Sequence, residues 1–326
     1  MGNSPFLLKP AGKDYLWGGR RLKDAFEKDL PLTPLAETWE CSTHPDGPST
    51  VVSSPQAGKT LSQVLREHPE YLGQRHKGRD SLPILVKFID AKQDLSVQVH
   101  PDDRYAQTHE GGQLGKTEMW YVLDAGKQTK LVYGLKQDAT RETVLQAVRQ
   151  GTLMGLLQQV PVEKDDVFFL EPGTIHALGA GALVAEIQES SNLTYRLYDY
   201  DRVDKQRNKR PLHLEKALAV ADLHSSAAPR QPMRVLRYRP GVASELLSRC
   251  KYFEVYRMLL NTERRQRVTY QADALAFRVL LCVAGCGSIR FGQETLLFYK
   301  GDCVFVPASS QCLTLHGQAQ FLDIRG

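Results

Sequence analysis

Over most of the chain, apolar and polar positions alternate with period two, and helical spacing interrupts this pattern in only a few places. The run "LSVQVH", residues 95–100, shows it best: Val97 and Val99 alternate with Ser96, Gln98 and His100, and Pro101 ends the strand. One face is apolar, while the other carries a hydroxyl, an amide and an imidazole, a set that faces either water or a site. "PILVKFIDA", "EMWYVLDA" and "KLVYGL" read as neighbouring strands, followed by "DDVFFLEPGTIHAL", "ALVAEIQES" and "LTYRLYDY". In "KTLSQVLREHPEYLG" Leu61, Val64 and Leu65 share a helical face behind Thr60 as N-cap, predicting a helical segment at 58–74. A second helical segment is predicted at 138–158, with Thr140 or Asp138 as cap and Val144, Val148 and Leu153 on one face.

Residues 1–57 are rich in Pro, Gly and turn signals and hold only short strand-like pieces, "ETWECS" and "STVVSS". The segment "DKQRNKRPLHLEKALAVADLHSSAAPRQP" combines a basic loop, a short helix and a Ser/Ala/Pro-rich break near 225–232. That break divides the chain into an expected catalytic domain, 1–224, and a C-terminal β domain, 225–326. Beyond it, "FEVYRMLL", "FRVLLCVAGCGSIRF" and "TLLFYKGDCVFVPASS" are closely spaced short strands, the pattern of an all-β sandwich or barrel. The basic run Lys205 to Arg210 reads as a solvated loop, with a phosphate-binding role as the alternative.

Composition narrows the partners. With 326 residues, 42% hydrophobic and 24% charged, the chain has the make-up of an ordinary globular protein with ample core. Its net charge of +5 is spread along the sequence and suits a small anion. No basic stripe interleaved with aromatics points to nucleic acid. No run is apolar enough to span a bilayer, the N-terminus has no apolar signal core, and Met1-Gly2 lacks the hydroxyl residue of a myristoylation signal. A cytoplasmic protein without membrane contact, monomeric or weakly homo-oligomeric, is the expectation. The six cysteines form no CxxC pair and are read as buried reduced thiols.

Metal-type donors recur at strand ends. Gln98 and His100 share a face, Glu118 opens the next strand, and His176 follows the bend set by Pro172 and Gly173. Two imidazoles, a carboxylate and an amide oxygen make a zinc-type donor set with room for an exchangeable position. Singly, each has a blander reading as a surface or hydrogen-bonded strand residue. Lys87, between Val86 and Phe88 in an apolar run, needs a partner if buried. Trp17 and Trp39 read as packing residues, His44 and His109 as loop residues, with His109 a candidate for the cleft edge.

The motifs "LPILVKFIDAKQDLSVQVHPDD", "GKTEMWYVLDA", "EPGTIHALGAG" and "EIQESSNLTYRLYDYDR" resemble, in order, those of the type I mannose-6-phosphate isomerases in their short bacterial form. The resemblance spans about residues 5–222. It implies a mainly β protein of cupin jelly-roll barrels with a small helical insertion: a catalytic cupin holding one zinc ion per chain and a second, metal-free cupin-like domain. By position it implies zinc ligands Gln98, His100, Glu118 and His176. It also implies catalytic residues Arg196, Glu186 and Lys116, and substrate-phosphate contacts from Ser96, Lys87 and Lys116. Two positions depart from the family pattern: Ala36 stands where a Gly-Glu-x-Trp motif has its glycine, and Asn192 where short-form relatives often carry Asp.

The implied reaction interconverts mannose 6-phosphate and fructose 6-phosphate by moving a proton between C1 and C2 through an enediol-like intermediate. A metal stabilises such an anion, and the base is Glu186, a metal-bound water or a group near His176. Arg196 is a fixed cation for developing oxyanion charge or for the sugar. The alternatives are a non-catalytic sugar-phosphate-binding or regulatory cupin and a different metal-cupin enzyme such as an oxygenase.

Overall fold

The structure is a computed structural model that describes every residue except 1, 204–206, 228, 230 and 232. Lys205 of the basic run, Met1 and parts of the Ser/Ala/Pro-rich break therefore lie outside the described residues. The chain is mainly β, with three antiparallel sheets.

Two sheets form the sandwich that carries the polar strand faces. One has six strands in the order Val167–Leu170, Glu118–Asp124, Leu183–Glu189, Ile84–Asp90, Glu37–Cys41 and Ala11–Lys13. The other has five, Tyr195–Tyr198, Val97–Val99, His176–Ala177, Lys130–Leu135 and Leu157–Pro161. Val97 and Val99 turn outward into a cluster with Ile175, Ala177 and Leu197, closed over by Val144, Leu153, Ala217 and Leu218 of the flanking helices. Alternation then forces Ser96, Gln98 and His100 inward, toward the six-stranded sheet. In that sheet the register sets Lys87 opposite both Trp39 and Glu186, Glu186 opposite Trp120, and Gln188 opposite Glu118, so these residues share one face.

The opposite face of the six-stranded sheet is apolar. Val86, Phe88, Met119, Tyr121 and Ile187 pack into one cluster with Phe253, Phe277, Phe305, Leu322 and Ile324. Phe305, Leu322 and Ile324 belong to the third sheet, of ten strands, built mostly from the last quarter of the chain, and Phe253 and Phe277 each directly precede one of its strands. It also takes in Phe6–Lys9, which pairs with Cys303–Val306 and with Thr50–Val51. A further cluster, around Phe291, Phe298, Leu315 and Phe321, fills the interior of the C-terminal strands.

The helix expectations hold at their starts and shift at their ends. Thr60 caps the Leu61–Glu67 helix in a box with Gln63, and Pro69 then starts a separate 3₁₀ turn. Thr140 caps Arg141–Arg149, which stops before Gly151 at φ +69°. Leu157 and Gln158, read as helical, instead open a strand paired to Lys130–Leu135, because the sheet edge supplies backbone partners. An unexpected helix, Asp103–His109, follows the His-Pro turn and is capped by Asp102, whose side chain accepts from the Tyr105 N–H. His109 thus ends a helix, stacked on Tyr105. The cysteines are free: Cys41, Cys282 and Cys303 are buried as expected, whereas Cys286 and Cys312 are exposed because they fall on outward or edge positions.

Phe305 joins the two halves, its ring 5.2 Å from Phe6 and 5.4 Å from Phe277 with no solvent exposure. Phe305→Ala should cost about 3–5 kcal/mol, read as a lower urea unfolding midpoint. Tyr238→Ala, at a 75% exposed position, should stay within about 0.5 kcal/mol of the parent.

Candidate active site

Between the two N-terminal sheets lies a cavity of about 220 Å³, with Ser96, Gln98 and Arg196 on one wall and Lys87, Lys116 and Glu186 on the other. Behind it, donor atoms of His100, Glu118 and His176 lie within 4.8 Å of one another, and all three residues are buried. Their positions follow from the strands. His100 ends the inward face of its strand, Glu118 is the first residue of its own, and His176 starts a two-residue strand paired with Gln98.

Both imidazoles are oriented by the backbone. His100 Nδ1 lies 2.7 Å from the Leu193 carbonyl and His176 Nδ1 lies 2.8 Å from that of Thr174. A carbonyl only accepts, so each Nδ1 carries the proton and each Nε2 of the neutral ring presents a lone pair inward. His176 Nε2 is 3.0 Å and His100 Nε2 3.8 Å from Glu118 Oε1. That oxygen is buried and receives no hydrogen bond among the described residues. Three acceptor atoms thus converge in a buried place, and one of them, Glu118 Oε1, has no donor among the described residues, which is costly unless a cation sits there. Gln98 lies beside them with its amide nitrogen Nε2 3.4 Å from His176 Nε2, so a turn of the amide would bring its oxygen to the group. The donor chemistry, two nitrogens and hard oxygens, fits a divalent metal.

A ladder of alternating charge runs from this group along the inner face. Lys116 Nζ bonds Glu118 Oε2 and lies 3.2 Å from His100 Nε2 and 3.9 Å from Glu186 Oε1. Glu186 Oε1 is 3.0 Å from Lys87 Nζ, and Lys87 Nζ is 3.7 Å from Glu37 Oε2. Indole N–H groups close the remaining acceptors: Trp120 donates to Glu186 Oε2 and Trp39 to Glu37 Oε2, both at 2.8 Å. Burial alone would raise the Glu118 pKa, but the Lys116 charge beside it prevails and the pKa lies well below the carboxylate range. Burial would lower that of Lys87, but Glu186 and Glu37 hold it above its usual value. For His100, burial and the Lys116 charge act together and push the pKa well below the usual value, keeping the ring neutral.

The structure therefore brings together Ser96, Gln98, His100, Lys87, Lys116, Glu118, His176, Glu186 and Arg196, residues dispersed over a hundred positions. The expected partner of Lys87 is Glu186, reinforced by Glu37. Sequence reasoning missed Glu37, Trp120, Tyr15 and Arg210, which also border the cavity. A glutamate and a tryptophan on one face of "ETWEC" was the available signal for Glu37. Trp39 is a packing residue as expected, whereas Trp17 both packs in the core and borders the cavity. His109 is not among the cavity residues.

Known proteins resemble this chain throughout. Residues 6–128 match the family model described as phosphomannose isomerase type I, catalytic domain, and residues 244–325 match that of the mannose-6-phosphate isomerase cupin domain. The chain is 35% identical to mannose-6-phosphate isomerase ManA of Bacillus subtilis (strain 168) over 98% of both chains. It is also 35% identical to the mannose-6-phosphate isomerase of Streptococcus mutans over 98% of this chain and 97% of that one. The crystal structure of the Bacillus subtilis mannose 6-phosphate isomerase superposes with a TM-score of 0.90 at 34% identity, covering 99% of each chain. A zinc-bound mannose 6-phosphate isomerase shares the fold at TM-score 0.79 and 15% identity, over 99% of this chain and 100% of that one. The two N-terminal sheets and the C-terminal strands are thus jelly rolls of the cupin kind.

Glu189 ties the site to its surroundings. Its Oε1 accepts from the Thr117 N–H at 2.7 Å, between Lys116 and Glu118. Burial, chiefly, and the nearby Asp103 charge raise its pKa from 4.5 to about 7. The folded chain thus keeps a proton that the unfolded chain releases, a contribution present in full below pH 4.5 and lost as pH rises to about 7. Glu189→Gln should flatten the pH dependence of the unfolding midpoint across that window. An unchanged slope would show that another group carries it.

Proposed function

This chain belongs to the type I phosphomannose isomerases, and on that footing we propose how its cavity performs the interconversion of mannose 6-phosphate and fructose 6-phosphate. It is an aldose–ketose isomerase. The observation that carries the reading is the convergence of two oriented imidazole lone pairs and a buried, unpartnered carboxylate oxygen beside a cavity walled by ammonium and carboxylate groups.

His100, Glu118 and His176, with the amide oxygen of Gln98, are the residues proposed to hold the metal, one zinc ion per chain. Bound there, zinc would polarise the sugar oxygens at C1 and C2 and stabilise the negative charge of the enediol-like intermediate. Everything else is the work of the side chains. The backbone carbonyls of Leu193 and Thr174 fix the imidazole tautomers, as ligating histidines require. Glu186 is proposed as the base that takes the proton from one carbon and returns it to the next. Its carboxylate is held by Lys87 and the Trp120 N–H at the cavity wall, so it reaches the reacting carbons without reorienting. Lys116, bonded to Glu118 and facing Glu186, is proposed to steady the oxygens whose charge changes during transfer. Arg196, which donates to Ser96 Oγ at 3.3 Å, closes the cavity on its outer side. Residues 1–224 make up the proposed catalytic unit, with 225–326 packed behind its six-stranded sheet.

The test is conversion of mannose 6-phosphate to fructose 6-phosphate before and after chelation. Activity should vanish with chelator and return with zinc. Absence of turnover by folded, zinc-loaded protein would overturn the assignment in favour of a binding cupin. Glu186→Gln should lower kcat by about 10²–10⁴-fold with zinc content retained, the range expected for loss of a general base.

A further inference from the structure

Positive charge is distributed unevenly along the cavity. On the inner wall the two ammoniums are opposed by three carboxylates: Lys87 by Glu186 and Glu37, Lys116 by Glu118. These lysines are already committed, and an incoming dianion would have to compete with buried partners for them. The mouth is different. Arg196 makes no ion pair among the described residues; its Nε donates to Ser96 Oγ at 3.3 Å and its Nη1 to the Pro211 carbonyl at 3.0 Å. Arg210 also borders the cavity and is gripped by a single buried carboxylate, donating through Nε to Asp199 Oδ2 at 2.8 Å and through Nη2 to Oδ1 at 2.5 Å. Arg202 pairs with the same Asp199. Two of these three guanidiniums thus share one carboxylate, and Arg196 has none among the described residues. Burial, and after it the charge of Arg210, pull the Arg196 pKa below its ordinary value, so the two cations repel each other across the mouth.

We infer that Arg210, fixed by Asp199, joins Arg196 and Ser96 Oγ in a cradle for the phosphate of the hexose 6-phosphate, while the sugar's carbonyl end lies at the His100–Glu118–His176 group. The substrate's identity rests on the isomerase reading above; the cradle names which residues take its phosphate. The net excess of about two positive charges matches a phosphate monoester near neutral pH, whose second pKa is about 6. Spacing agrees as well. Ser96 and Gln98 are two residues apart on one strand face, about 7 Å, the scale of a six-carbon chain. Guanidinium suits the task better than ammonium, because a planar fork held by a carboxylate on one edge offers its remaining N–H groups in a fixed direction. The basic run read from sequence as solvated thus divides. Lys209 pairs with Asp201 at the surface, and Arg210 turns in.

The experiment is calorimetric binding of mannose 6-phosphate to the zinc-loaded full chain, with inorganic phosphate as a competing probe. Arg210→Ala should weaken both ligands by about 10–100-fold, the loss of a charge-assisted contact, with the protein still folded and its zinc content unchanged. Arg210→Lys should recover part of the affinity. Asp199→Asn, which acts by positioning Arg210, should raise KM while kcat holds. Parental affinity for inorganic phosphate in Arg210→Ala would overturn the cradle, as would weaker sugar-phosphate binding with phosphate binding intact. If the parent binds mannose 6-phosphate without converting it, and Arg210→Ala loses that binding, the cradle stands and the isomerase mechanism falls.

Discussion

The buried ladder Glu37–Lys87–Glu186–Lys116–Glu118 is the constraint around which the rest of the molecule is arranged. Five charges stand on one face of one sheet, each 10% exposed or less at the side chain. Taking such groups out of water is unfavourable even when they are paired, so the ladder adds little stability of its own. It persists because each member has a partner on both sides and because the indoles of Trp39 and Trp120 satisfy the outer oxygens. Removing one member would strand its neighbours, which makes the whole row interdependent.

A face this polar has to be supported elsewhere, and the fold shows where. The six-stranded sheet turns its other side into the largest apolar cluster, shared with the C-terminal strands. The five-stranded sheet turns its outer side into a cluster closed by helices. Each sheet of the sandwich is thus held from behind by hydrophobic burial, leaving the space between them free for charge. This gives the C-terminal strands a physical role as the support behind the site. The pairing of Phe6–Lys9 with Cys303–Val306 draws the start of the chain into that support.

The parts of this arrangement that the sequence made readable are those encoded within a few residues. Period-two alternation in "SVQVH" was enough to place Gln98 and His100 on one side, and the Pro-Gly bend was enough to deliver His176 at a strand start. Thr60 and Thr140 announced their helices by capping chemistry. What stayed hidden depends on register between distant strands. Nothing near Lys87 says that Glu186 stands opposite, since that follows from the pairing of Ile84–Asp90 with Leu183–Glu189. Arg210 was unreadable for a similar reason. A cation in a run of cations looks solvated until Asp199, eleven positions earlier, is seen to hold it. The Asp103–His109 helix was missed because its cap follows immediately on a strand and a proline, where the local pattern still reads as β.

The division between ammonium and guanidinium groups follows from the same physics. At the inner end the lysines are compact charges that fill gaps between carboxylates, and Lys116, at contact distance from His100, keeps that ring neutral. At the mouth the need is reversed, for a charge that is only partly balanced and is held in one orientation. A carboxylate shared among several arginines meets it, because Asp199 fixes their directions while leaving most of their charge uncancelled. On the proposed reading the cavity runs from the paired charges beside His100, Glu118 and His176, where a carbonyl and a metal would meet, to a region of unbalanced positive charge at Arg196 and Arg210 that would draw in an anion. That gradient orients a substrate with a neutral sugar at one end and a dianion at the other, before any contact specific to the reacting carbons is made.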